Sequence, residues 1–140
     1  MWKESLQVSQ EIMLEDIKCN LGVSKIHGIG VFAVRNINKG EELFGYSERY
    51  LTLTSKEIES LPEKVKNLIL DRYVIYQDTT IIEHPNTEIN YVSFMNHSHD
   101  PNSNGWQAIR DIKEGEEITE DYRHPDMHEI SKQHFKFLFT

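Results

Sequence analysis

Three groups of residues toward the C-terminal end carry side chains that could act together in chemistry. They are an amide and an imidazole in Asn96-His97-Ser98, a second amide in Pro101-Asn102, and a phenol closing Gly115-Glu116-Glu117-Ile118-Thr119-Glu120-Asp121-Tyr122. The first group follows an apolar approach, Tyr91-Val92-Ser93-Phe94-Met95, so its polar atoms must find partners inside the fold or cost free energy. A bound polar ligand would supply such partners. Tyr122 delivers a hydrogen-bonding hydroxyl on an apolar body.

Other chemistries find less support. Gly28-Ile29-Gly30 lets the backbone turn and lets a ligand approach its amides and carbonyls. It is not a dinucleotide fingerprint, because no third glycine opens a helix and no βαβ unit follows. His97, His99 and Asp100 offer metal-ligand atoms, yet a metal site needs three or four converging ligands, and two histidines two residues apart on an extended segment face opposite sides. No metal is expected there. His124 and His128 have helical i,i+4 spacing, but Pro125-Asp126 between them suits a helix start, so they read as a solvated, acid-flanked pair. No serine-centred elbow, phosphate-cradling loop or paired-acid signature points to a hydrolase or kinase. The single cysteine, Cys19, excludes an internal disulfide and a Cys-rich zinc site and reads as a small buried thiol.

The elements that must position these residues are short. Residues 21–34 read as two strands around a glycine turn, and Asn36-Ile37-Asn38-Lys39-Gly40-Glu41-Glu42 as a turn into a strand at Leu43-Phe44-Gly45-Tyr46. Thr54 with Glu57 has capping-box spacing for a helix through Ile58 and Leu61, which Pro62 interrupts. Pro62 suits the first turn of a second helix with Val65, Leu68 and Ile69 on one face. Tyr73-Val74-Ile75-Tyr76 and Thr80-Ile81-Ile82 read as strands joined by residues 77–79. Residues 6–17 fit a helix or a strand equally. Residues 36–43 and 111–118 obey one rule, Ile, two polar residues, Gly, Glu-Glu, aliphatic, which implies two similar strand-entry turns.

At 140 residues, 38% hydrophobic and 27% charged, the chain has the size and composition of one globular domain. Fifteen basic against 23 acidic residues give a net charge of −8, which argues against direct nucleic-acid binding and suits either solubility or a Lys-rich partner. No apolar run approaches the roughly 18 residues of a membrane span. The start of the chain lacks a secretory apolar region. The expectation is a soluble intracellular protein, with nothing to separate cytoplasm from nucleus.

In this order the segments resemble the SET domain of protein lysine methyltransferases. Gly28-Ile29-Gly30-Val31-Phe32-Ala33 is similar to the motif whose backbone lies along S-adenosylmethionine. Tyr46 falls at the tyrosine of the family's Tyr-x-Gly motif, with Glu48 in place of the glycine. Asn90 and Phe94-Met95-Asn96-His97-Ser98 with Pro101-Asn102 resemble the motif that holds the cofactor. Gly115 to Thr119 with Asp121-Tyr122 resembles the last motif, which puts Tyr122 at the catalytic tyrosine position. Four departures stand out: Ser93 for an arginine, Glu120 for a tyrosine or apolar residue, His99 for a zinc-binding cysteine, and a connection at residues 103–106 shorter than the usual hairpin.

The resemblance implies a mostly β fold with short helices, a β-clip-like set of small curved sheets with a C-terminal pseudoknot. It would span residues 17–123, with a helical insert at 54–72, a flanking segment at 1–16 and a tail at 124–140 packing on the domain. It implies methyl transfer from S-adenosylmethionine to lysine in a basic protein, a histone tail or another Lys-rich chain. Gly28, Ile29, Gly30, Asn96, His97 and Tyr122 would bind the cofactor. Tyr122 and Tyr46 would be catalytic, and Tyr46, Phe94 and Phe135 would line the substrate channel. Phe135, Phe137 and Phe139 alternate with Lys136 and Leu138, which fits either a segment closing that channel or a terminal strand. A homodimer is compatible with so small a domain. The alternative is a catalytically inactive SET-like module that binds a basic partner.

Overall fold

The computed structural model describes residues 17–44, 50–83 and 91–139. In chain order the elements are β1 (Cys19–Val23), β2 (Ile29–Ala33), β3 (Tyr50–Thr54), α1 (Ser55–Glu59), α2 (Glu63–Arg72), β4 (Thr79–Glu83), a 3-10 turn at Tyr91–Phe94, β5 (Asn96–His97), β6 (Glu117–Glu120), α3 (Glu129–His134) and a 3-10 turn at Lys136–Phe139. They fall into two compact units. The first joins the described residues of Met1–Gly45 to Phe94–Glu120, and the second joins those of Tyr46–Ser93 to Asp121–Thr140.

In the first unit, β1 and β2 form an antiparallel hairpin with Cys19 opposite Ala33 and Val23 opposite Ile29. The glycine turn expected from sequence closes it. Gly28 has φ +47, a conformation that a Cβ would strain. Within the turn Ser24 Oγ accepts the amides of Ile26 (2.9 Å) and His27 (3.3 Å). The sheet continues in the order β1-β2-β6-β5, with β6 antiparallel to β2 and β5 parallel to β6.

The two matching turns seen in the sequence hold each other. Ile37 and Ile112 exchange backbone hydrogen bonds of 2.8 Å in both directions. Asp111 Oδ1 accepts from Lys39 N, and Asn36 Oδ1 accepts from Glu114 N, each at 2.9 Å. Gly40 N donates to Ala108 O and Gly115 N to Ala33 O, both at 2.8 Å, and the two glycines share a left-handed φ of +91 and +89. One rule therefore recurs because two copies of a turn meet face to face. Ile37 and Ile112 are each 1% exposed at the centre. The strand expected from Leu43 is reduced to one bridge, Glu42 with Gln107, and Leu43 N donates to Trp106 O rather than starting a ladder.

The second unit pairs β3 with β4 antiparallel, Tyr50 opposite Glu83 through Thr54 opposite Thr79. Thr54 then caps α1 with the full capping box to Glu57, as the spacing predicted. Pro62 occupies the N-cap of α2. The buried face of α2 differs from the expected one: Val65 is 44% exposed, while Ile69 and Leu70 join Ile58, Tyr73, Ile75 and Ile130 in the core. Burial follows the C-terminal end of the helix, where Ile130 of α3 joins the cluster. Residues 73–75 are not a strand; Ile75 N donates instead to the buried Ser131 Oγ at 2.8 Å. No described helix is long and apolar enough to cross a membrane.

The reciprocal clamp sets a symmetric expectation. Asn36→Ala and Asp111→Ala should each destabilise the protein by about 1 kcal/mol in urea denaturation, since each removes one side-chain cap of a backbone amide. A cost at one position and none at the other would contradict the equivalence of the two turns.

Candidate functional site

Asn96 opens the two-residue strand β5 and is 7% exposed. Its side-chain nitrogen faces three oxygens: His27 O at 3.0 Å, Ile29 O at 3.4 Å and Glu117 Oε2 at 2.9 Å. Only the NH2 end of an amide can face three acceptors, so the sense of the Asn96 amide is fixed by chemistry. Its Oδ1 takes no hydrogen bond from any described residue and is not sealed from solvent. The structure thus brings Asn96 onto the carbonyls on either side of Gly28, which the sequence treated as separate motifs. Gly30 is buried beneath this junction, and a Cβ there would collide with Glu117 Oε2 and come within 3.1 Å of Asn96 Nδ2.

Asn102, 3% exposed, does for β6 what a neighbouring strand would do. Its Nδ2 donates to Glu117 O at 2.8 Å and its Oδ1 accepts from Thr119 N at 2.9 Å, mimicking a peptide group. Ser103 continues the substitution, its N and Oγ both donating to Thr119 O at 3.1 and 2.9 Å. Asn102 is therefore a structural member of its motif.

His97 and His99 depart from the expected geometry. Their rings do not face opposite sides: His97 Nε2 lies 2.7 Å from His99 Nδ1, with centroids 4.7 Å apart. The alternation argument failed because β5 ends at His97 and the chain bends beyond it. One ring donates and the other accepts, so at least one of them is neutral while the pair holds.

In the second unit Tyr122 lies two residues beyond the end of β6 and packs against Phe135, ring centroids 5.3 Å apart and tilted 60°. Asp121 and Arg123 bracket it: Asp121 Oδ1 accepts from Arg123 N at 2.9 Å and from Nε at 3.0 Å, and Oδ2 accepts from Nη2 at 2.8 Å. Phe135, 8% exposed, also meets His134 and Phe137. The tail is no strand. Residues 136–139 form a 3-10 turn that leaves Phe137 and Phe139 at 65% and 52% exposure, so alternation in sequence did not become alternation in burial. Phe94 closes the 3-10 turn before β5 and is half-buried. His128 is not part of a helical pair with His124; it caps α3, its Nδ1 accepting from Ile130 N at 3.1 Å. Tyr46, Glu48 and Asn90 lie outside the described residues.

The SET domain family matches residues 28–123, well over half of the chain. The chain belongs to the SET-domain family. It is 31% identical over 121 residues to a Schizosaccharomyces pombe protein named histone-lysine N-methyltransferase, H3 lysine-4 specific, an alignment covering 76% of this chain and 13% of that one. The chain thus spans a small part of that relative. Among solved structures, it is similar to the Neurospora SET domain protein DIM-5, a histone lysine methyltransferase, at TM-score 0.54 and 22% identity over 80% of this chain and 54% of that one. A Plasmodium falciparum protein described as a candidate histone methyltransferase gives TM-score 0.53 and 22% identity over 77% and 95%. Those likenesses show the fold, a SET domain of small mixed sheets with few short helices. SET-domain methyltransferases in general use S-adenosylmethionine.

After Asn102 the chain makes a tight turn. Asn104 Oδ1 accepts from Trp106 N at 3.1 Å and Gln107 N at 2.8 Å, and Ser103 bridges Ala108. Glu117 and Ser24, which join the junction beneath Asn96, were not singled out by the sequence. Glu117 was visible only as one acid of Glu-Glu, although a glycine packed under a long acidic side chain on the adjacent strand would have been its signal.

Two measurements follow from this geometry. Asn102→Ala leaves a buried N–H and C=O of β6 unpaired and should cost about 2–3 kcal/mol in urea denaturation, against little change if solvent replaces both bonds. Burial pushes the Cys19 thiol up to about 11, with neighbouring Lys18 opposing the shift. Because only the thiolate is nucleophilic, iodoacetamide at pH 8 should modify native Cys19 at least about tenfold more slowly than the urea-unfolded chain, and equal rates would contradict the burial.

Proposed function

We propose that this SET domain transfers a methyl group from S-adenosylmethionine to the side-chain amine of a lysine in a basic protein. The observation that carries the reading is the grip of Asn96 on both carbonyls flanking Gly28, with its Oδ1 left able to accept. The donor set fits the cofactor: an amide oxygen suits an ammonium group, and a positive-φ glycine with open space above it admits a ligand close to the backbone. Gly28, Ile29, Gly30, Asn96 and His97 would hold the cofactor, together with Tyr122. When bound, S-adenosylmethionine supplies a methyl group on a positively charged sulfur, open to in-line displacement by an uncharged amine.

The protein's part is alignment and control of charge. A lysine amine has a reference pKa near ~10.4, so it must be brought into surroundings that favour its neutral form. Phe135 against Tyr122 offers an apolar wall of that kind. By the resemblance Phe94 and Tyr46 are also proposed as channel residues, and the Tyr122 hydroxyl would orient the amine's lone pair. The substrate would be a Lys-rich protein, which a net charge of −8 attracts over a polyanion; histones come first because the relatives named above are histone methyltransferases.

The test is transfer of labelled methyl from S-adenosylmethionine to a panel of basic proteins that includes core histones, with Tyr122→Phe alongside. Wild type should label at least one member, and the variant should turn over about a hundredfold more slowly with cofactor affinity retained. Equal labelling by both would show that Tyr122 is wrongly assigned. Cofactor binding with no labelling across the panel would favour a non-catalytic module that binds a basic partner.

A further inference from the structure

We propose that Glu117 is a positioning residue for the cofactor end of the site, holding the Asn96 amide and the bend at residues 24–30 together. The inference rests on the cofactor reading given above. Glu117 sits on β6, opposite Phe32 of β2, so its backbone is fixed by the sheet. Its carboxylate reaches two partners that otherwise belong to different segments. Ser24 Oγ donates to Oε1 at 2.7 Å and lies 2.9 Å from Oε2, while Asn96 Nδ2 donates to Oε2 at 2.9 Å.

The direction of every bond in this junction is determined. Ser24 Oγ already accepts from the amides of Ile26 and His27, so its hydroxyl hydrogen must be given away. Asn96 offers N–H to the same carboxylate. Glu117 is therefore approached by two donors, with Oε2 in reach of both the Ser24 hydroxyl and the Asn96 amide and Oε1 taking the shorter bond from Ser24. A carboxylate presents an acceptor at each end; an amide presents only one. In Glu117→Gln one end becomes an NH2. Turned toward Asn96, it confronts another donor, and because the carbonyls of His27 and Ile29 oppose a flip, the Asn96 amide is pushed from its place. Turned toward Ser24, it sets a third donor against a hydroxyl that already accepts two amides, leaves that hydroxyl only the longer contact at the Oε2 position, and loosens the bend whose carbonyls Asn96 holds. Gly30 makes room for this arrangement, since a Cβ would collide with Glu117 Oε2.

The two similar turns sharpen the point. Glu42 and Glu117 hold equivalent places in them, yet Glu42 lies beside a single bridge to Gln107 while Glu117 faces the Ser24 hydroxyl and the Asn96 amide. The shared turn explains why an acid follows Glu116. It does not explain why this acid ties β6 to the glycine bend.

The experiment uses the whole chain as wild type, Glu117→Gln, Ser24→Ala and the double variant. Calorimetric binding of S-adenosylmethionine is measured beside steady-state kinetics and melting. Glu117→Gln should weaken cofactor binding about tenfold and raise the cofactor KM by the same factor. The kcat at saturating cofactor and the KM for the protein substrate should stay within about twofold, and Tm within a few degrees. A residue serving only stability would shift Tm and leave the cofactor KM alone. The double variant should lose less than the product of the two single losses, because both act through one junction. Should Glu117→Gln fail to fold, Ser24→Ala carries the test through its own weakened cofactor binding. Wild-type binding with undiminished affinity in the foldable variants overturns this inference and leaves the methyl-transfer reading standing; no binding by wild type overturns both.

Discussion

A buried amide has to place both of its hydrogens, and that requirement at Asn96 ties together the parts of the first unit that matter for function. The strand carrying Asn96 is two residues long, too short to be held by its own ladder. Its side chain supplies what the backbone cannot, joining the glycine bend to β6 through His27 O, Ile29 O and Glu117. The same economy recurs at Asn102 and Ser103, whose side chains serve β6 as peptide groups would. Among the described residues no buried side-chain nitrogen or oxygen lacks a partner, so this polar junction is satisfied as well as dense. A junction of that kind resists drift, which the proposed alignment of a methyl donor and an amine would require.

Around it the framework is built by repetition. Two turns of like sequence brace each other through Ile37 with Ile112 and through Asn36 with Asp111, each giving the other the bonds it receives. Turn chemistry repeated because the geometric demand repeated: a left-handed glycine followed by an acid, entering a short strand or bridge. Specialisation then enters through one side chain. Glu117 leaves the pattern of its counterpart and becomes the link between sheet and bend.

Much of this was legible in the residues. The hairpin around Gly28, the capping box at Thr54 and the paired turns rest on local rules, and local rules survive folding. The SET resemblance was legible because its motifs keep their order. What could not be read were facts decided by tertiary neighbours. Val65 has the right spacing to be buried, yet α2 packs through Ile69 and Leu70 near its end. Residues 73–75 look like a strand but give Ile75 N to Ser131 instead of to a neighbouring strand. No element was expected at residues 50–53, where β3 pairs with β4. His97 and His99 were separated by a rule for extended chain that stops applying where β5 stops. Glu117 was hidden because its role depends on Ser24, about a hundred positions earlier in the chain, and on Gly30 lacking a side chain.

The proposed seat of the cofactor is the bend at residues 27–30 together with the Asn96 amide. Titrating S-adenosylmethionine into isotope-labelled protein and following amide resonances by NMR tests it most directly. Saturable shifts are expected, centred on the backbone amides of residues 26–30 and on the Asn96 side-chain NH2. Saturable shifts elsewhere that leave those signals in place, or no shift at millimolar ligand, would contradict it.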